Sequence, residues 1–204
     1  DPAFLCLEEL PGGRYVRAEI LRLAGEFPAG RRVDPRFREE KMRVLRIIFE
    51  EAGTPDASGE FSRMTRWWLD DFALFAAIRD SLSGAPWEAW PAPLRDREPS
   101  ALAAARERLS SRVRFHRWLQ EQAFCQLAGA RRHAARRGVL LMGDLPILTG
   151  RDSADVWAHR ELFRMDRAAG APPDLYCARG QRWGMPVPDW AGIAADGWQI
   201  VSEK

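Results

Sequence analysis

The sequence is poor in cysteine, and its cysteines are not spaced for metal binding. Cys6, Cys125 and Cys177 are three of 204 residues and lie far apart, without a CxxC pair or a Cys/His cluster. This spacing favours neither a zinc site nor a disulfide framework. The three histidines share no metal-ligand spacing either. We therefore expect no metal, no cofactor and a reducing, cytoplasmic location.

Long apolar runs and a surplus of one charge are also missing. Apolar stretches such as VLLMG are far shorter than the roughly 18 residues of a membrane span. The first ten residues, DPAFLCLEEL, lack the basic and then apolar order of a signal peptide. The chain has 31 Lys and Arg against 29 Asp and Glu, interleaved, whereas a nucleic-acid surface needs a concentrated basic excess. The sequence thus predicts a soluble globular protein without a membrane or nucleic-acid partner.

Several catalytic signatures are absent as well. The sequence contains no GxGxxG after a strand, no GxxxxGK[ST], no HExxH and no GxSxG, which disfavours nucleotide-binding proteins, zinc hydrolases and serine hydrolases. Nine tryptophans are present instead. So many indoles suit either a core with large anchors or a groove that stacks sugar rings.

Apolar periodicity predicts a mostly helical chain up to residue 137 and a loop-rich stretch after residue 143. A proline-rich segment, SGAPWEAWPAPLRDREPS, interrupts the helices and is read as an ordered loop pinned by tryptophans. Gly138 is expected to end the longest helix as a left-handed cap. The expected elements are helices at 17–27, 34–52 (stopped at 53–55), 61–80 (with Trp68, Phe72 and Phe75 on one face), 100–137 and 190–196, and a strand at Val139–Met142.

Asp144 follows the predicted strand directly. A carboxylate at the carboxyl end of a strand suits a ligand site, because the loops converge there. The alternative is that Asp144 satisfies backbone N–H groups of its own turn, a common use of aspartate. Asp152 and Asp155 are interpreted as an N-cap and an acidic first turn of the next helix.

A second candidate is the segment GQRWGMPVPDW, residues 180–190. Its glycines, prolines and tryptophans describe a loop that presents an aromatic side chain. Trp183 could stack on a pyranose face while Gln181 bonds a hydroxyl, or Trp183 could plug the loop onto the domain. The spacing leaves both interpretations open.

Two long motifs, GVLLMGDLPILTGRDSADVWAHRELFRMD and GAPPDLYCARGQRWGMPVPDW, resemble those of the amylomaltases, the 4-alpha-glucanotransferases of the α-amylase-related clan. WWLDDFALFAAIRD, PWEAWPAPLRDREP and FHRWLQEQAFCQL resemble the helical insert of the same family. The resemblance covers nearly the whole chain. Its motifs occur in the family's order.

The resemblance implies an α/β fold, part of a (β/α)8 TIM barrel with a largely helical inserted subdomain. Residues 1–30 would be a barrel segment, 31–137 the helical insert with barrel helices, and 138–204 a barrel strand with active-site rim loops. The implied reaction is disproportionation of α-1,4-glucans, malto-oligosaccharides included, by a retaining glycosyl-enzyme mechanism. The implied substrate-binding residues are Asp144, Trp183, Gln181, Gly184 and Pro186.

The sequence departs from the family in ways that bear on activity. Nothing matches the RIDHFRGF-like strand of the nucleophile or the later acid/base segments, and Met185 replaces the Asn of WGNP. A complete barrel needs about 250 residues, so we expect a central fragment that is inactive alone. The alternatives are a non-catalytic malto-oligosaccharide-binding remnant and a decayed fragment without function.

Overall fold

The described residues form two compact units. The structure is a computed structural model and describes residues 2–28, 34–52 and 59–202. The first unit lies within Asp1–Met64 and Ser111–Met142, and the second within Thr65–Ser110 and Gly143–Lys204. The expected helix stop at 53–55 and the expected domain division between 30 and 31 lie outside the described residues.

Helices dominate both units, as the apolar periodicity predicts. Short 3₁₀ turns at Pro2–Phe4, Leu7–Glu9 and Gly13–Val16 precede the first α-helix, and others lie at Trp87–Ala89 and Arg160–Leu162. The helices are α1 Arg17–Glu26, α2 Arg36–Glu51, α3 Gly59–Thr65, α4 Leu69–Ser81, α5 Ala92–Arg95, α6 Pro99–Arg108, α7 Ser110–Arg136, α8 Ala154–Ala158, α9 Trp190–Ala195 and α10 Gln199–Ser202. The strands are β1 Phe163–Ala171 and β2 Gln181–Pro188.

Two predicted helices are each divided into two. The chain leaves helical geometry between Thr65 and Leu69, and again at Leu109 between α6 and α7. Ser110 and Ser111 follow the second break, and serine favours helix starts over helix interiors. A break of one to three residues leaves the apolar spacing almost unchanged, so periodicity cannot reveal it. Gly138 has φ 70° after α7, which confirms the predicted left-handed cap.

Apolar faces of α2 and α7 form the core of the first unit. Phe49 on α2 packs against two aromatic rings of α7, with ring centroids 5.4 Å from Phe115 and 5.5 Å from Trp118. The buried side chains around them include Leu5, Leu7, Leu10, Val16, Leu23, Val44, Leu45, Ile48 and Leu119.

The second unit is built around the proline-rich segment, which is ordered and pinned by tryptophans as predicted. Trp90 packs against Phe75 of α4 and Trp157 of α8, with centroid distances of 5.1 and 5.6 Å. The indole N–H of Trp157 donates to the carbonyl of Leu94 at 3.0 Å, and that of Trp87 donates to the carbonyl of Arg151 at 2.9 Å. Trp87 and Trp157 therefore keep their indole N–H groups satisfied while filling the core of this unit.

The predicted strand at Val139–Met142 is wrong. The run has no regular secondary structure, and Leu140 and Met142 are 92% and 99% exposed. A strand needs a neighbour that accepts and donates its backbone hydrogen bonds, and no described residue pairs with this run. Apolar composition favours a strand but does not supply its partner.

The sheet lies instead in the stretch predicted to be loop-rich. β1 and β2 form a two-stranded antiparallel hairpin, so the described residues contain no parallel barrel strands. Their glycines and prolines hide the strand signal, because these residue types are depleted in ordinary strands.

Trp157 is fully buried, and its replacement tests the core of the second unit. We expect Trp157→Ala to lower the free energy of unfolding by about 3–5 kcal/mol, because a large cavity replaces the indole. Urea denaturation at neutral pH measures the change. Trp183→Ala is the control, since 47% of Trp183 is exposed, and equal losses in the two variants would contradict this account of the core.

Candidate functional site

The hairpin carries most of the predicted site residues, and its register is irregular. At its base Phe163 pairs with Pro188 and Arg164 with Val187. Ala168 then pairs with Pro186, so residues 165–167 bulge from β1. Gly170 pairs next with Arg182, so residues 183–185 bulge from β2. Such bulges re-aim side chains and occur often beside active sites.

Trp183 lies in the β2 bulge and is half exposed. Its indole N–H donates to Oε1 of Gln181 at 3.0 Å. The structure therefore brings these two predicted residues together on the exposed part of β2. The hydrogen bond uses the oxygen of the Gln181 amide and leaves its N–H groups to donate elsewhere. The description of this segment as a loop is wrong, because residues 181–188 form a strand.

Gly184 and Pro186 differ in their surroundings. Gly184 is exposed with φ 77°, and a Cβ there would meet no atom within 4 Å. Glycine is favoured at this place by backbone conformation, not by lack of space. Pro186 is buried and paired with Ala168, so it shapes the bulge and presents no free surface.

Asp144 is exposed and has no hydrogen-bond partner among the residues that the structure describes. The alternative in which it caps its own turn is therefore not observed. The residues after it, Leu145 to Ile147, line an apolar cleft with Pro188 and Trp190. This cleft joins the Asp144 segment to the base of the hairpin, whereas Trp183 lies nearer the tip.

Of the two later aspartates, Asp155 has the predicted role and Asp152 does not. Ser153 is the N-cap of α8, accepting from the N–H of Val156 at 3.3 Å. Asp152 is not the cap: it accepts from the N–H of Trp87 at 3.1 Å and pairs with Arg79. Asp155 lies in the first turn of α8, as predicted.

The tip of the hairpin presents two side chains that the sequence did not single out. Leu175 and Tyr176 are 100% and 97% exposed. The turn beneath them is fixed, because Oδ1 of Asp174 accepts from the N–H groups of Tyr176 and Cys177 at 2.9 and 2.7 Å. Such an Asx turn is a recognisable use of aspartate, but exposure cannot be read from sequence.

Arg151 connects the proline-rich loop to the hairpin. Its guanidinium binds the Glu88 carboxylate through Nε and Nη2, the latter at 2.8 Å. Its Nη1 donates to the carbonyl of Met165 at 2.9 Å. The Arg151 hydrogen bonds hold the pKa of Glu88 below its usual range. No spacing signal reveals this residue, because its partner Glu88 lies 63 residues away.

No group of three His, Cys, Asp or Glu side chains that could hold a metal ion occurs in the described part of the chain. No helix within residues 2–28, 34–52 and 59–202 is long and apolar enough to cross a bilayer.

A protein-family model described as 4-alpha-glucanotransferase matches residues 1–203. The chain belongs to this family. A 4-alpha-glucanotransferase of Synechocystis is 41% identical over 219 aligned residues, covering all of this chain and 43% of the relative. That of Thermus thermophilus is 39% identical over 161 residues, covering 74% of this chain and 32% of the relative. The chain thus spans less than half the length of these 4-alpha-glucanotransferases.

Solved amylomaltases share the fold. The amylomaltase from Streptococcus agalactiae in complex with acarbose superposes with a TM-score of 0.82 at 25% identity, covering 98% of this chain and 42% of that chain. The amylomaltase from Corynebacterium glutamicum gives 0.71 at 23% identity. The predicted membership of the 4-alpha-glucanotransferase family is confirmed.

The ion pair of Glu88 predicts a pH dependence of stability. Because the pKa of Glu88 is lowered in the folded chain, the pair stabilises the fold above the ordinary glutamate pKa of about 4.3 and loses this effect as the pH falls through the folded pKa. We expect Glu88→Gln to lower the urea midpoint at pH 7 and to match the unchanged chain near pH 3. A difference in urea midpoint that stays constant with pH would contradict this role of the Glu88–Arg151 pair. The same pH-dependent difference in Glu107→Gln, on α6, would also contradict it.

Proposed function

We propose that this chain forms part of the substrate-binding rim of a 4-alpha-glucanotransferase, which disproportionates α-1,4-glucans by a retaining mechanism. The family match over residues 1–203 carries the proposal. The half-exposed Trp183, hydrogen-bonded to Gln181 in a bulged strand, supports it.

The proposed site binds glucan by stacking and by hydrogen bonds. The apolar face of a glucose ring lies on the exposed face of Trp183, since an indole offers a large, rigid surface. The amide N–H groups of Gln181 donate to a hydroxyl, and the Asp144 carboxylate accepts from another. A carboxylate without a partner among the described residues is suited to this role, because charge-assisted hydrogen bonds are strong.

Gly184 and Pro186 act on this surface indirectly. Gly184 supplies the positive φ that turns the strand directly after Trp183. Pro186 has no N–H to donate, so it is compatible with the interrupted ladder beside the bulge. Leu175 and Tyr176 add a second exposed apolar contact at the tip of the hairpin.

The finer fold is also part of the proposal. We place the chain in part of a (β/α)8 barrel with a largely helical inserted subdomain, in which residues 138–204 carry the active-site rim loops and other parts of the whole protein supply the barrel strands that the described residues lack. The superposition on the Streptococcus agalactiae amylomaltase, itself solved with acarbose, supports this placement. The exposed Leu140 and Met142 supply apolar surface for such packing.

Trp183 provides a test of glucan binding. Titration with maltotetraose, followed by tryptophan fluorescence, should give a saturable change that Trp183→Ala weakens about tenfold or abolishes. A tenfold loss is about 1.4 kcal/mol, within the roughly 1–3 kcal/mol that an aromatic side chain contributes when a nucleic-acid base stacks on it. Trp198→Ala is the matched control, because the two indoles are equally exposed at 47%. Binding that is absent in the unchanged chain, or lost equally in both variants, would count against the proposal.

The retaining reaction predicts that the 204-residue chain has no activity by itself. It requires two carboxyl groups about 5–5.5 Å apart on either side of the scissile bond, and the segments that resemble the family supply Asp144 without the nucleophile. Incubation with maltotriose should therefore release no glucose beyond the blank. Measurable disproportionation by the pure chain would overturn this assignment of the catalytic groups to other segments.

A further inference from the structure

The hairpin that presents Trp183 has a register offset of one residue between its base and its tip. A regular hairpin continued from Phe163 and Pro188 would pair Arg182 with Ala169. The observed partner of Arg182 is Gly170. The offset is the net result of the two bulges, 165–167 and 183–185, which lie on the two sides of the Ala168–Pro186 pair. A change of register by one residue would turn the side chains of β2 to the other face of the sheet.

On the tip side of the two bulges, the offset register is favoured by a steric constraint at Gly170. A Cβ at this position would collide with the carbonyl oxygen of Gln181. If the hairpin slipped to the regular register, Ala169 would take this place and its methyl group would meet that oxygen. The sequence therefore disfavours the regular register near the tip.

On the base side, the β1 bulge is held by Arg151. Its Nη1 donates to the carbonyl of Met165, which lies inside the β1 bulge, at 2.9 Å. A bulged residue lacks a backbone hydrogen-bond partner on the opposite strand. The Arg151 guanidinium therefore donates the hydrogen bond that the Met165 carbonyl would otherwise accept from β2. The bond to Glu88 and the indole of Trp87 on the Arg151 carbonyl fix the arginine itself. These contacts lie in the second compact unit and join the bulge to its tryptophan core.

We propose that Arg151 is a positioning residue for Trp183, because its bond to the Met165 carbonyl fixes the β1 bulge and with it the register that turns Trp183 outward. This inference rests on the proposed role of Trp183 in glucan binding, but the position of Trp183 can be measured without any glucan. Arg151 itself touches no substrate in this proposal.

The test uses the 204-residue chain labelled with 5-fluorotryptophan and observed by ¹⁹F NMR. Trp183→Phe assigns the Trp183 resonance, and Trp157→Phe assigns a core reference. We expect Arg151→Met to shift or broaden the Trp183 resonance while the Trp157 resonance stays in place. The maltotetraose affinity should fall about tenfold in the same variant. Arg151→Lys keeps one donor, so its Trp183 resonance should shift by an intermediate amount. If Arg151→Met does not fold, Arg151→Lys is used in its place to test the positioning role.

Two controls separate the carbonyl bond from the ion pair. Glu88→Gln removes the charge of the partner but keeps an amide oxygen that accepts from the guanidinium. Arg151 then still reaches the carbonyl of Met165, so the Trp183 resonance should stay within the linewidth. Arg95→Met removes another arginine of similar exposure, 41% against 40% for Arg151, whose carboxylate partner is Asp96. The Trp183 resonance should stay in place in this variant as well.

Two results would overturn the proposal. The first is a Trp183 resonance that Arg151→Met, or Arg151→Lys in its place, leaves unchanged. The second is a shift of equal size in Glu88→Gln. A failure of glucan binding in the unchanged chain, with the resonance shift still present, would refute the proposed function and leave the positioning role standing.

Discussion

The second unit depends on the packing of arginine guanidinium groups onto buried tryptophans. Arg97 lies 4.3 Å from the ring centroid of Trp157, and Arg160 lies 4.5 Å from that of Trp87. Nη1 of Arg97 and Nε of Arg160 are buried without a hydrogen-bond partner among the described residues. The electron-rich faces of the two indoles offset this deficit, since cation–π contacts strengthen as water is excluded. Nη2 of each guanidinium has a partner: that of Arg97 pairs with Asp71, and that of Arg160 donates to the carbonyl of Arg95.

This packing gives the binding surface a rigid base. The tryptophans hold the proline-rich loop against α4 and α8, and the loop supplies Glu88 to Arg151. Arg151 in turn holds the β1 bulge, and the opposite bulge presents Trp183 beside Gln181. A half-exposed aromatic side chain binds a sugar well only when its orientation is already fixed, because ordering it on binding would cost free energy. The successive contacts from the buried tryptophans through Glu88 and Arg151 to the hairpin fix the orientation of Trp183.

The sequence allowed some of this to be predicted. Apolar spacing located α1, α2 and α9 to within about two residues, and the left-handed cap at Gly138 followed from its position after a long helix. The tryptophan-pinned segment is predicted because four prolines exclude a continuous helix there, while large aromatic side chains need burial. The glycines, prolines and tryptophans of residues 180–190 single out Trp183 and Gln181, which the structure joins by a hydrogen bond. Their role in binding stays a prediction.

Other features depend on contacts that no local pattern encodes. The strand at Val139–Met142 was predicted from composition alone and has no partner in the described part of the chain. The hairpin was missed because its bulges need glycine and proline, which mimic a loop signature. Ser153 caps α8 because Asp152 binds the N–H of Trp87, 65 residues away. Arg151 gives no signal in the sequence for the same reason, since its contacts form only after distant segments have packed.

The central claim is that a fixed, outward-facing Trp183 binds a glucose ring. A crystal structure of the chain grown with maltotetraose tests it most directly. We predict a pyranose ring stacked on the exposed face of Trp183, with a hydroxyl within hydrogen-bond distance of the Gln181 amide. Glucan bound elsewhere on the chain, or a Trp183 whose two faces are both covered by protein, would contradict the account.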